Sequence, residues 1–187
     1  MVIVPDRFIF LETPRTASRS VAVTMEESVR FAKRSGCRHV KPKAVPRETG
    51  LPIWTITRNP IMHLYSWYKY GCEGKAFYVF NSDRSRILRF SEFADREFSP
   101  LSGFEPDCLN IYRDVADHFW PLEHGLSLFY EQLGITPKNT HFIGEIKDMN
   151  GFAEVCSSTQ DLHIGKFTDR FKRDIALWHT TIAAMAV

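Results

Sequence analysis

No stretch of this chain approaches the roughly 20 consecutive apolar residues needed to cross a bilayer, and its mean hydropathy is −0.23. Its first residues, Met1-Val2-Ile3-Val4-Pro5-Asp6-Arg7, lack the basic start and long apolar stretch of a secretory signal. The expectation is a cytoplasmic chain with no membrane span. Cysteine is sparse: Cys37, Cys72, Cys108 and Cys156 stand 35, 36 and 48 residues apart. With no CxxC pair and no zinc spacing, they read as reduced thiols rather than disulfides or metal ligands. No repeat, low-complexity segment or Pro/Gly/Ser-rich linker divides the 187 residues, so they read as one domain, 1–187.

What is present is an ordinary globular composition. Hydrophobic residues make up 44% and charged residues 25%, and fifteen Phe, six Tyr and four Trp supply ample core volume. Intrinsic disorder is excluded on those grounds. The net charge of +2 hides an asymmetry. Residues 1–94 carry 16 Lys and Arg against 8 Asp and Glu, whereas residues 95–187 carry 8 against 14. A basic first half suits an anionic ligand. The sequence pI of 8.4 falls short of the value above about 9 expected of a nucleic-acid-binding domain. The aromatic residues follow core periodicity instead of interleaving with Lys and Arg, so no nucleic-acid partner is expected.

Strand and helix signals alternate along the chain. Phe8-Ile9-Phe10-Leu11 is a continuous apolar run, the mark of a strand buried on both faces. From about Ser18 to Arg34 the pattern turns helical, with Val21, Met25 and Val29 in register and Gly36 as a stop. Ile53–Thr57 is β-branched and aromatic, a second strand. Asn59-Pro60 then supplies an N-cap and a Pro at N1 for a helix running to about Tyr70, before Gly71. A short helix is expected near Ser91–Glu97, with turns at Ser99-Pro100 and Glu105-Pro106. Another helix is expected between Leu122 and Leu133, before Gly134. His141–Gly144 reads as a third strand, Met149–Cys156 as a short helix, and the last helix lies within Thr168–Ala184. This order predicts an α/β domain with a central parallel sheet flanked by helices.

The chemistry concentrates in two stretches. In Phe8-Ile-Phe-Leu-Glu-Thr-Pro-Arg-Thr-Ala-Ser-Arg-Ser20 a buried strand runs into a short polar loop that opens a helix. Free helix-terminal amides, a cation and hydroxyls make that arrangement an anion site. A plain turn capped by Ser18 or Thr16 is the alternative. The loop is not a Walker A motif, since GxxxxGK[ST] is absent and the turn contains no Gly. In Thr55-Ile-Thr-Arg58-Asn-Pro-Ile-Met-His-Leu-Tyr-Ser66-Trp-Tyr68, Arg58 ends a strand and Ser66 lies two turns into the next helix. Open α/β sheets bind ligands at the carboxyl ends of their strands. There the planar fork of Arg58 can meet an anion, or it can serve as a structural ion-pair partner.

Taken together, the two stretches resemble the paired phosphate-binding motifs of sulfotransferases that use 3′-phosphoadenosine 5′-phosphosulfate (PAPS). The likeness is to the carbohydrate sulfotransferases and their small bacterial and viral relatives. Pro14-Arg15-Thr16-Ala17-Ser18-Arg19-Ser20 resembles the first loop, which in that family wraps the 5′-phosphosulfate. Arg58, Asn59, Pro60, Ser66 and Tyr68 fall in register with the second motif, whose Arg and Ser hold the 3′-phosphate. Phe142–Asp148 is similar to a late strand of the family, and His118-Phe-Trp-Pro121 to a worn His-x-x-Pro segment. The resemblance implies a P-loop NTPase-like sheet and PAPS as co-substrate. It further implies a small-molecule or carbohydrate acceptor, and a nucleotide site of Arg15, Thr16, Ala17, Ser18, Arg19, Ser20, Arg58 and Ser66.

Three departures stand out: the usual loop Lys is Arg15, a usual Thr is Arg19, and the usual second-motif Arg is His63. Arginine neutralises charge on a leaving group but is a poor proton donor. For the acceptor's proton the resemblance implies a Glu or His. His39, 19 residues before Arg58, is one candidate base; Glu12 is its main competitor, then His118. Lys166 could reach the nucleotide or be a surface Lys. The catalytic set read from the sequence is thus Arg15, His39 and Glu12, with no metal. The other readings are a catalytically weak nucleotide-binding module and an ATP- or GTP-dependent kinase. The missing Walker lysine and magnesium-binding Asp count against the kinase.

Overall fold

A computed structural model describes residues 1–36, 39–74, 76–97, 107–138 and 162–185. The fold is α/β, with a five-stranded sheet flanked by helices. Its strands are β1 (Val2–Val4), β2 (Phe8–Leu11), β3 (Lys33–Arg34), β4 (Ile53–Thr57) and β5 (His118–Pro121), in the order β3-β1-β2-β4-β5. The sheet is mixed, which corrects the expectation of a parallel one. β2, β4 and β5 are parallel, but β1 runs antiparallel to both β2 and β3. The cause is the Pro5-Asp6-Arg7 turn, with Asp6 at φ 58° and the Arg7 amide donating to Val4 O at 3.2 Å; it folds Val2–Val4 back on β2 as a hairpin.

All four β2 residues are buried, as expected of a strand covered on both faces. Phe10 faces a core made with Val21, Ala22 and Met25 of α1 (Ser18–Ser28) and Phe129, Tyr130 and Leu133 around α4 (Leu126–Gln132). Ile9 and Leu11 face Val40, Val45, Ile53, Ile111, Tyr112 and Val115 on the other side. A third core gathers α2 (Pro60–Gly74), α3 (Phe90–Ala94), α5 (Ile164–Arg170) and α6 (Lys172–Met185) around Leu64, Trp67, Phe93, Phe167 and Phe171.

Several boundaries differ from the sequence reading. α1 ends at Ser28, six residues early, because Val29 turns extended and Phe31 takes φ 66° before β3 begins. α2 starts as expected, with Asn59 Oδ1 accepting the amides of Ile61 and Met62 at 3.1 and 3.3 Å. It runs through Gly71 instead of stopping there. A Cβ at Gly71 would lie 2.4 Å from Val79 Cγ1 and 2.5 Å from the Tyr78 ring, so glycine serves close packing here. The segment 122–133 divides into a 3₁₀ turn (Leu122–His124) and α4, and the last helix divides at Phe171 into α5 and α6. His141–Gly144, Met149–Cys156 and the turns at Ser99-Pro100 and Glu105-Pro106 lie outside the described residues. Cys72 and Cys108 are not joined in disulfides. Among the described residues no helix is long and apolar enough to cross a membrane.

Candidate functional site

The loop from β2 into α1 is built around one carbonyl. Thr13 O accepts the hydroxyl of Thr16 at 2.8 Å and also that of Ser18. Both hydroxyls therefore turn inward, and neither caps α1, whose N-cap is Ala17 with no side-chain cap. Arg15 and Ala17 both hold positive φ, 62° and 58°, where each non-glycine residue costs roughly 1–2 kcal/mol. Ala17 O accepts the amides of Ser20 and Val21 at 3.0 and 3.3 Å. The amides of Ser18 and Arg19 precede the first bond an α-helix can give them. Ala17 is exposed, so Ala17→Gly removes strain without opening a cavity. It is expected to raise stability by about 1 kcal/mol. A urea midpoint below that of the parent would mean that the left-handed turn is not the conformation in solution.

The second stretch meets this loop. Arg15 Nε donates to Ser66 Oγ at 3.2 Å, and the guanidinium lies over the Tyr70 ring, 4.6 Å from its centroid. Arg58, leaving the carboxyl end of β4, donates from Nη1 to Arg15 O at 3.4 Å. His63, one turn into α2 and buried, donates from Nε2 to Pro14 O at 2.8 Å. Burial pushes its pKa down to about 3, with Arg58 and Arg15 adding to the drop and the Pro14 bond opposing it. The imidazole is thus a neutral strut beneath a turn flanked by two cations. Arg19 is exposed and Ser20 half-buried on the first turn of α1.

No family model, curated protein or solved structure matches this chain.

Of the two main candidate bases, His39 stands at the end of β2. Its Nδ1 is 2.8 Å from Glu12 O. A carbonyl only accepts, so this bond puts the proton on Nδ1 and makes Nε2 the basic nitrogen of the neutral ring. The Glu12 carboxylate is buried and faces the β1–β3 edge, 3.1 Å from the Met1 ammonium and 3.4 Å from Arg34 Nε. His118 stacks on Trp54 at 4.4 Å and pairs with it at the start of β5. That is three residues, about 10 Å, from the Thr57–Pro121 end where Arg58 begins. A hollow of about 350 Å³ lined by Arg47, Leu51, Asp117 and His118 lies at that same far end, away from the loop. Lys166 pairs with Asp95 at 3.6 Å. Among the described residues no cluster of three or more metal-ligating side chains forms.

A buried polar chain under the loop went unseen in the sequence. Thr55 donates to Leu11 O at 3.0 Å, Thr13 Oγ1 lies 2.8 Å from Thr55 Oγ1, and Asn110 Oδ1 is 3.4 Å from Thr13 Oγ1. Asp174 on α6 accepts the amides of Asn110 and Leu109 at 2.8 and 3.3 Å and pairs with Arg113 at 3.1 Å. Burial raises the Asp174 pKa against the opposing pull of those partners. Thr55 within an apolar strand was a visible signal; Asn110 and Asp174, held to the loop only by tertiary contacts, had none.

Proposed function

We propose that this chain is a sulfotransferase that moves a sulfuryl group from PAPS to the hydroxyl of a small-molecule or carbohydrate acceptor. The observation carrying this reading is the meeting of the two motifs. Arg15 and Ser66, 51 residues apart, are joined at 3.2 Å, and Arg58 reaches the Arg15 carbonyl at 3.4 Å. The parallel strands β2, β4 and β5, with β2 feeding the loop and α1, are compatible with the P-loop NTPase-like sheet this reading requires.

In this reading Arg58 and Ser66 hold the 3′-phosphate. Arg15 and the loop amides, those of Ser18 and Arg19 among them, hold the 5′-phosphosulfate, as helix termini do. His39 takes the proton of the acceptor hydroxyl, whose oxygen attacks sulfur in line. The bond from sulfur to the phosphate oxygen breaks, giving a sulfate ester and adenosine 3′,5′-bisphosphate. Position and charge stabilisation carry the rate, as in phosphoryl transfer. The inward hydroxyls of Thr16 and Ser18 favour one second reading, a module of the same fold that binds the nucleotide but transfers slowly.

Ligand-induced stabilisation tests the class. At a hundredfold excess over Kd a ligand specific for the folded state adds about 2.7 kcal/mol. Adenosine 3′,5′-bisphosphate is expected to raise Tm by about 5–10 °C for a chain of this size, and ATP by clearly less. Arg58→Ala is expected to weaken the bisphosphate by roughly 1.5–3 kcal/mol, the range for a hydrogen bond to a charged group, and to leave AMP nearly unchanged. Equal shifts with ATP and GTP would move the reading to a kinase. Equal losses for bisphosphate and AMP would make Arg58 structural.

A further inference from the structure

Arg15 is an unusual residue for its position. It stands on a backbone at φ 62°, and its long side chain must hold one direction to meet an anion. An arginine free to rotate would lose much of the value of its fork on binding. The side chain instead lies along one face of α2, where Ser66 and Tyr70 are four residues apart and therefore neighbours. Ser66 takes the Nε–H at 3.2 Å, and the Tyr70 ring lies under the guanidinium carbon at 4.6 Å, well inside the 6 Å reach of a cation–π contact. Tyr70 is itself braced edge-on by Trp67, with centroids 6.4 Å apart at 79°. Yet Tyr70 remains 50% exposed, so filling a core does not account for its ring. A flat guanidinium stacks on such a ring and keeps its edge donors in one plane, which a point-like ammonium cannot do.

We propose that Tyr70 is a positioning residue for anion binding, its ring fixing the plane in which the Arg15 fork meets a phosphate or sulfuryl group. The proposal rests on the nucleotide reading above for the identity of the ligand, and on the Arg15–Tyr70 geometry for the role. It accounts for an arginine at this point of the loop: the ring supplies the orientation.

The test is a double-mutant cycle read in the affinity for adenosine 3′,5′-bisphosphate, with the Arg15 Nε–H resonance followed by NMR. Tyr70→Phe keeps the ring and is expected to bind within about twofold of the parent. Tyr70→Leu is expected to weaken binding by about 3- to 20-fold, inside the roughly 2- to 30-fold worth of a cation–π contact. It should add less than about twofold in an Arg15→Ala background, where nothing is left to orient. Ring current should displace the Nε–H resonance in the parent and in Tyr70→Phe but not in Tyr70→Leu. Equal losses in both backgrounds, or a resonance indifferent to Tyr70→Leu, would overturn the role of Tyr70 and leave the nucleotide reading standing. A parent that binds no bisphosphate would overturn the nucleotide reading, and with it the role in anion binding, whatever the resonance shows.

Discussion

Lowering the pH from 7 to 4 is expected to remove about 3 kcal/mol of folding stability through His63 alone, by linkage. The side chain titrates at 6.5 when unfolded and at about 3 in the folded chain. Between those values the unfolded state binds the proton and the folded state does not. The contribution is therefore fully present above pH 6.5 and drains away as the pH falls toward 3. Asp174 works in the opposite sense. Its folded pKa is raised, so protonation on acidification favours the folded state and offsets part of the loss. Urea midpoints at pH 7, 5 and 4 separate the two. His63→Gln can still donate from its amide to Pro14 O and carries no titrating group, so its midpoint should be much flatter across this window. A parent and a His63→Gln variant with the same slope would show that the imidazole is not buried under the loop.

Under the proposed transfer reaction, His39→Ala should lower kcat by about 10²–10⁴-fold, the usual worth of a general base. His39→Asn should be nearly as slow, although its side-chain amide can replace the Nδ1 donor to Glu12 O. Affinity for adenosine 3′,5′-bisphosphate should hold in both, because the imidazole is assigned to the acceptor. Glu12→Gln should behave differently. Its carboxylate is buried between the Met1 ammonium and Arg34, and removing one partner of a buried pair costs about 3–5 kcal/mol. Its defect should therefore appear in Tm more than in rate. Normal turnover in His39→Ala beside a folded but inactive Glu12→Gln would move the base to Glu12.

The elements legible in the sequence are those with strong local signals. Phe8–Leu11 is apolar without interruption, Ile53–Thr57 is β-branched and aromatic, and Asn59-Pro60 caps and starts a helix; all three form. Val2–Val4 and Lys33–Arg34 are too short to show a period, and Val2–Val4 is the reversed strand that makes the sheet mixed. Val29 continues the helical spacing of Val21 and Met25, yet the chain leaves the helix there. Of the site, the meeting of Arg15, Arg58 and Ser66 followed from the paired stretches. The inward turn of Thr16 and Ser18 did not, because nothing local says that Thr13 O will gather both hydroxyls. Nor did the strut at His63, whose partner lies 49 residues back.

The outer strand β3 has a bearing on how copies of this chain behave toward one another. An unpaired strand is a template on which a second molecule can extend the sheet. β3 is only two residues long, both exposed and both cationic, Lys33 and Arg34. A second β3 brought alongside would add like charge for at most a short ladder, and Arg34 would have to leave Glu12 and Glu26. The β3 side of the sheet is thereby poorly suited to edge-to-edge aggregation. Lys33→Val would remove one of these charges without touching the Glu12 pair, leaving the β3 edge more open to pairing with a second copy.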